Sequence, residues 1–319
     1  MAGQSIALNI IFMGTAELSC ASLAALLADA RVRVTAVVTQ PDKPKGRDLE
    51  LQPSAVKVLA LKSNLPVFQP ARARDELFLA ELRPLNPDLI VVAAYGQILP
   101  QTLLELPRYG CLNVHTSLLP KYRGAAPIQW AIANGDAETG VTIMKMDAGL
   151  DTGDILSQRR TPVAPEDNAA TLHDRLARMG AELLVETIPA YVRGQIQPQP
   201  QPREGSTYAP KIKKEDGHID WGQPANLIWH RFRAFTPWPG AFTHWNAGAK
   251  PLLLKIGRAE VAERTGPAGE ILQADKEGII VACGQNALRI TELQREGGRF
   301  LNARDFLAGN PLRPGEKLG

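Results

Sequence analysis

Ala7-Leu8-Asn9-Ile10-Ile11-Phe12-Met13-Gly14-Thr15 is a short apolar run that stops at a glycine. Its near-continuous aliphatic character predicts a strand that ends at Gly14-Thr15. From Ala16 to Ala28 the apolar residues Leu18, Ala21, Leu23, Leu26 and Leu27 recur at helical spacing, and Val32 to Thr39 is rich in β-branched residues. Strand, helix and strand in that order imply two parallel strands joined by a right-handed crossover. The first turn holds Gly14 but no Gly-x-Gly-x-x-Gly, so the usual dinucleotide signal is missing. The run Ile6 to Met13 has no basic segment before it and is too short to span a bilayer. It reads as a first strand and not as a signal, and a cytoplasmic protein without membrane contact is expected.

The alternation continues outward. Pro53 to Asn64 predicts a helix with proline at its start, Val67-Phe68 a short strand, and Asp75 to Leu82 a helix opened by acidic residues. Pro87 to Ala94 predicts a buried strand, and Cys111 to Val114 another. A helix near Pro127 to Asn134, strands over Gly140 to Met146 and Ile155 to Thr161, and a long amphipathic helix over Ala169 to Arg193 follow. The fold class is α/β, with a Rossmann-like, mostly parallel sheet domain over residues 1–194. Residues 195–210, with Pro198, Pro200 and Pro202 among glutamines, predict an extended, semi-rigid linker. Over 211–319 the pattern changes. Short strands at Leu252 to Ile256, Gly269 to Leu272, Gly278 to Cys283 and Ala287 to Leu293 are separated by glycine-containing turns, which predicts a small β-barrel. Helices over Pro224 to Ala234 and Asn302 to Ala308 flank it, the second with Asn302 as its cap.

A chain of 319 residues is long for one core, which agrees with two domains. Cys20, Cys111 and Cys283 are far apart and odd in number, so neither a disulfide framework nor a zinc ribbon is expected. The net charge of +3 is uneven: residues 1–194 carry 19 Lys and Arg against 20 Asp and Glu, and residues 195–319 carry 17 against 13. The surplus of four makes the C-terminal part the better candidate for a polyanionic partner.

The chemistry concentrates at Asn113-Val114-His115-Thr116-Ser117, where a buried strand opens into a loop. Asn113 and His115 are two residues apart, so on a strand they share a face. Asp151 follows a later strand in the run Asp147-Ala148-Gly149-Leu150-Asp151-Thr152-Gly153-Asp154, and in a parallel sheet the two strand ends can be neighbours. An amide donor, an imidazole and a carboxylate suit acyl transfer to an amine. The amide stabilises the developing oxyanion, the imidazole handles the amine proton, and the carboxylate orients the imidazole. The aspartate spacing is not that of a calcium loop, and no metal is expected. Ser117 lacks a nucleophile-elbow sequence. On residue chemistry alone, transferase and hydrolase both stay open.

Longer motifs narrow this. Asn113-Val114-His115-x-Ser117-Leu118-Leu119-Pro120-x-x-Arg123-Gly124-Ala125-Ala126-Pro127-Ile128-Gln129 is one, and Gly135-Asp136-x-Glu138-Thr139-Gly140-Val141-Thr142-Ile143-Met144 a second. Asp147-x-Gly149-Leu150-Asp151-Thr152-Gly153-Asp154 is the third. With these the chain resembles the methionyl-tRNA formyltransferase family of the folate-dependent formyltransferases, along essentially its whole length. The resemblance implies a C-terminal barrel similar to an OB fold and formyl transfer from 10-formyltetrahydrofolate to the α-amino group of methionine on initiator tRNA. That reaction releases tetrahydrofolate and serves translation initiation. It implies that Asn113, His115 and Asp151 are catalytic and that Ser117, Leu118, Leu119 and Pro120 border the folate. Lys43, Lys45 and Arg47 fall in the loop that the family directs to the acceptor stem, and residues 211–319 would bind tRNA. Nothing in the sequence demands a partner subunit, so a monomer is expected. The rival readings are a formyltransferase acting on a sugar-nucleotide amine, a 10-formyltetrahydrofolate hydrolase, and a tRNA-binding module without activity.

Overall fold

The computed structural model describes residues 7–45, 50–246 and 250–319. They gather into two compact units. One is built from the described residues of 1–127, 138–162 and 173–210, the other from those of 128–137, 163–172 and 211–319.

In chain order, β1 (Leu8–Gly14), α1 (Leu18–Ala28) and β2 (Val32–Val38) form the expected β-α-β unit. A small hairpin follows, β3 (Lys43–Lys45) with β4 (Glu50–Gln52). Sequence reading leaves this stretch as a loop, because prolines and charges hide any period of two. Helix α2 (Ala55–Lys62) starts at Ser54, whose hydroxyl accepts from the Lys57 amide at 3.0 Å. Next come β5 (Val67–Phe68) and α3 (Glu76–Leu82), the latter capped by Asp75. Then follow β6 (Leu89–Ala93), the short α4 (Gln101–Leu104), β7 (Cys111–His115) and β8 (Arg123–Gly124). The remaining elements up to the second half are α5 (Pro127–Ala133), β9 (Glu138–Lys145), β10 (Ile155–Pro162), α6 (Ala169–Val192) and β11 (Tyr208–Ala209).

The main sheet of the first unit has the order β10-β9-β7-β6-β1-β2-β5. Strands β5, β2, β1, β6 and β7 are parallel. Every residue of β6 and β7 is buried, as strands covered on both faces require. On one side Ile11, Met13, Val38, Ile90 and Val92 pack with Phe78, Leu79 and Leu82 of α3. Each such side chain contributes roughly 1.5–3 kcal/mol by leaving water. Past β7 the direction changes: β9 runs antiparallel to β7, and β10 antiparallel to β9. Asp151 therefore does not stand at a parallel strand end beside that of β7. It lies in the turn between two antiparallel strands and must fold back to meet β7.

The second unit continues with α7 (Ala225–Ala234), β12 (Ala241–Trp245), β13 (Leu252–Ala262), β14 (Ile271–Asp275), β15 (Gly278–Ala282), β16 (Ala287–Arg295), β17 (Phe300–Asn302) and α8 (Ala303–Gly309). Its strands form an antiparallel sheet in the order β12-β13-β16-β15-β14, with β17 on β16. Residues 315–319 bond to both edges: the Ile271 amide donates to Glu316 O at 2.8 Å, and the Gly319 amide to His244 O at 3.0 Å. Trp221, Leu254, Ile271, Ile279, Leu293 and Phe306 fill the core. Asn302 caps α8 by accepting from the Asp305 amide at 2.9 Å. Strand β12 was not expected from the sequence. Its buried positions Ala241, Thr243 and Trp245 alternate, but a polar residue among the three blurs the signal.

Candidate active site

Asn113 and His115 leave β7 on one face, and the turn after β9 brings Asp151 to both. Asn113 Nδ2 donates to Asp151 Oδ1 at 3.4 Å, and His115 Nδ1 lies 3.7 Å from Asp151 Oδ2. All three are largely withdrawn from solvent, at 9% exposure for Asn113 and 6% and 12% for the His115 and Asp151 side chains. In such surroundings charge–dipole interactions are stronger than in water.

Two contacts orient the group from the loop after β7. His115 Nε2 is 2.9 Å from the Tyr122 carbonyl, and the Gly124 amide donates to Asp151 Oδ2 at 2.8 Å. Gly124 has φ +114°, and a Cβ there would meet the Tyr208 ring at 2.6 Å and Ala209 O at 2.8 Å, so the close approach requires glycine. Tyr122 and Gly124 act through their backbone groups. Residue type does not announce such roles, although Arg123-Gly124 stands within the longest family motif.

Ser117 to Pro120 lie directly after β7, and their backbone is fastened from neighbouring strands. Thr142 Oγ1 on β9 donates to Ser117 O at 2.7 Å and accepts from the Leu119 amide at 3.1 Å. Gln158 Nε2 on β10 donates to Leu119 O at 2.9 Å. Ser117 Oγ donates to Lys121 O at 2.6 Å, so this hydroxyl is engaged within its own loop.

The cationic loop lies elsewhere in the chain. Lys43 is exposed at the start of β3 and donates to Gln40 Oε1. The loop is tied down beside it: Lys57 Nζ and Gln69 Nε2 donate to Asp42 at 2.7 and 2.8 Å, which holds the Asp42 carboxyl below the usual carboxylate range. The backbone of Lys45 pairs with Glu50, and Arg47 falls outside the described residues. Among the described residues, no three His, Cys, Asp or Glu side chains converge as a metal site would require.

Residues 195–210 run along the first unit and are bonded to it repeatedly. Gln199 exchanges two backbone bonds with Ile155 at 2.8 and 2.9 Å, and β11 pairs with β8 in parallel. The Tyr122 amide donates to Thr207 Oγ1 at 2.8 Å. The proline-rich stretch thus builds the outer side of the loop that holds His115 and Asp151.

A buried amide and imidazole on β7 thus stand beside a carboxylate carried by the turn after β9, a set of residue types suited to acyl transfer to an amine. The chain belongs to the formyl transferase family: residues 8–188 match the formyl transferase model and residues 211–311 that of the formyl transferase C-terminal domain. It is 51% identical to the methionyl-tRNA formyltransferase of Citrifermentans bemidjiense over 312 residues, covering 98% of this chain and 96% of that protein. It is 52% identical to that of Myxococcus xanthus over 311 residues, covering 97% of each. Among solved structures it is similar to an N-formyltransferase from Helicobacter canadensis in complex with folinic acid and dTDP-3-aminofucose. That match has a TM-score of 0.66 at 19% identity and covers 91% of this chain and all of the other. HypX from Aquifex aeolicus in complex with tetrahydrofolic acid matches with a TM-score of 0.62 at 19% identity, over 98% of this chain and 50% of that one. At such identities the likeness is one of fold.

Proposed function

We propose that the chain transfers the formyl group of 10-formyltetrahydrofolate to the α-amino group of methionyl initiator tRNA, a step in translation initiation. The observation that carries this reading is the convergence of Asn113, His115 and Asp151 in a chain about half identical, over nearly its full length, to methionyl-tRNA formyltransferases. The amine attacks the formyl carbon, and the C–N bond to the folate breaks as the tetrahedral intermediate collapses. Asn113 Nδ2 donates to the oxygen that gains charge. His115 takes the amine proton and delivers it to the folate nitrogen as that leaves, and Asp151 orients the imidazole. An amine needs positioning more than activation, and orienting two reactants can save roughly 7–11 kcal/mol. Ser117, Leu118, Leu119 and Pro120 border the folate. Their backbone groups are held by Thr142 and Gln158, so the loop offers a fixed apolar edge suited to a flat heterocycle.

Residues 1–194 serve as the catalytic domain, 195–210 as the linker and 211–319 as the tRNA-binding domain, supported by the C-terminal charge surplus. Lys43, Lys45 and Arg47 contact the acceptor stem. The enzyme works as a cytoplasmic monomer. No helix among the described residues is long and apolar enough to cross a membrane. The test is incubation with 10-formyltetrahydrofolate and charged initiator tRNA, with a nucleotide-linked amino sugar in parallel. Formylmethionyl-tRNA is the expected product; formylation of the sugar alone would overturn the reading.

A further inference from the structure

We infer that Gln201, in the proline-rich stretch, is a positioning residue for the reaction: it locks the Asp151 turn to the Tyr122–Gly124 loop. The inference rests on the role proposed for Asp151. Gln201 Oε1 accepts from Arg123 Nε at 3.1 Å and from Arg123 Nη2 at 2.7 Å. Its Nε2 donates to Asp151 O and Gly153 O, both at 2.8 Å. The amide therefore uses both donors and both acceptor sites, and a reversed amide would turn its oxygen toward two carbonyls. Gln199, paired with Ile155, sets the register that brings Gln201 here.

These bonds close a ring. Gln201 holds Arg123; the next residue, Gly124, donates its amide to Asp151 Oδ2; the Asp151 carbonyl returns to Gln201. The ring acts on a backbone that needs holding. Asp151 has φ +52°, a left-handed conformation strained for a residue with a Cβ and kept only when surrounding contacts determine it. Gly153, whose carbonyl is the second acceptor of Gln201 Nε2, sits where a Cβ would clash with Lys145 O, so this turn has one tight path. Remove Gln201 and two carbonyls and a guanidinium lose their partner together. Asp151 then loses its fixed place against His115 and Asn113, although none of the three is touched by the substitution.

Gln201→Ala and the near-isosteric Gln201→Glu are compared with Asp151→Ala and with the double variant Gln201→Ala/Asp151→Ala in the full chain. Turnover and KM are measured for 10-formyltetrahydrofolate and for charged initiator tRNA, with a thermal melt for each protein. Glutamate keeps an acceptor for Arg123 but presents oxygen to the two carbonyls. Both single variants should therefore lose about tenfold to a hundredfold in kcat, with both KM values within about twofold. In the Asp151→Ala background, Gln201→Ala should cost nothing further, because its effect runs through Asp151. Losses that multiply, or normal turnover in Gln201→Glu, overturn the inference. If Gln201→Ala melts before assay, Gln201→Glu decides by the same criterion. Normal turnover in Asp151→Ala would instead strike at the catalytic reading itself, so the two failures are separable.

Discussion

His115 Nε2 lies 2.9 Å from the Tyr122 carbonyl oxygen. A carbonyl only accepts, so in the neutral ring Nε2 carries the hydrogen and Nδ1, which faces Asp151, carries the lone pair. Long-range proton–nitrogen NMR of the neutral protein should show the Nε2–H tautomer for His115. A dominant Nδ1–H form would contradict this assignment and leave Tyr122 without a role.

Asn113 is buried on β7, and its side-chain amide donates to Asp151 Oδ1 at 3.4 Å. Loss of one oxyanion donor removes about 3–4 kcal/mol of transition-state stabilisation. Asn113→Ala should lower kcat by roughly a hundredfold or more, with little change in KM. Steady-state kinetics showing near-normal turnover would remove Asn113 from that role.

The tRNA reading carries an electrostatic signature. Affinity for initiator tRNA should fall with salt, with a log–log slope of about −0.7 to −0.9 per phosphate neutralised. Lys43→Ala should reduce the magnitude of that slope by about one while leaving KM for the formyl donor unchanged. Filter binding over a salt series reads both, and a slope identical to that of the parent would place Lys43 away from the RNA.

Arg233 is a buried cation in the second unit, 8% exposed. Its Nη1 donates to the carbonyls of Ala164, Pro165 and Asp167 at 3.0–3.1 Å, and its guanidinium carbon lies 4.0 Å over the Trp229 ring. Replacement by methionine fills the volume but leaves those carbonyls without this donor. Arg233→Met should destabilise the protein by about 2–4 kcal/mol in urea denaturation. A loss below about 0.5 kcal/mol would mean that water replaces the guanidinium at little cost.

Burial pushes the Cys111 and Cys283 thiols up to about 12 each, whereas Cys20 is only partly buried and its thiol, raised by burial and by Glu17, is the most accessible of the three. Because the thiolate is the nucleophile, a raised pKa means less reactive species at any pH below it. Iodoacetamide at pH near 8 should modify Cys20 first in the native protein and all three in urea, as read by peptide mass spectrometry. Equal native rates at Cys111 and Cys20 would contradict the packing of β7.

Much of this was legible in the residues. The β-α-β start, the Asn302 cap, and the shared face of Asn113 and His115 depend on neighbours a few residues away. Periodicity and side-chain chemistry report such relations directly. The motif around Asn113, His115 and Asp151 also named the catalytic candidates. Tertiary structure alone decided how they meet. The reversal of β9 puts Asp151 in a turn that folds back onto β7 instead of at an adjacent parallel strand end. The Tyr122 carbonyl, the Gly124 amide and Thr142 take part through backbone or loop contacts that residue type does not reveal. Gln201 is the plainest case. As one glutamine among several between prolines, it reads as linker, yet it bonds to residues 50 and 78 positions away in the chain. Contacts over such separations are set by strand order and direction, which no local pattern encodes.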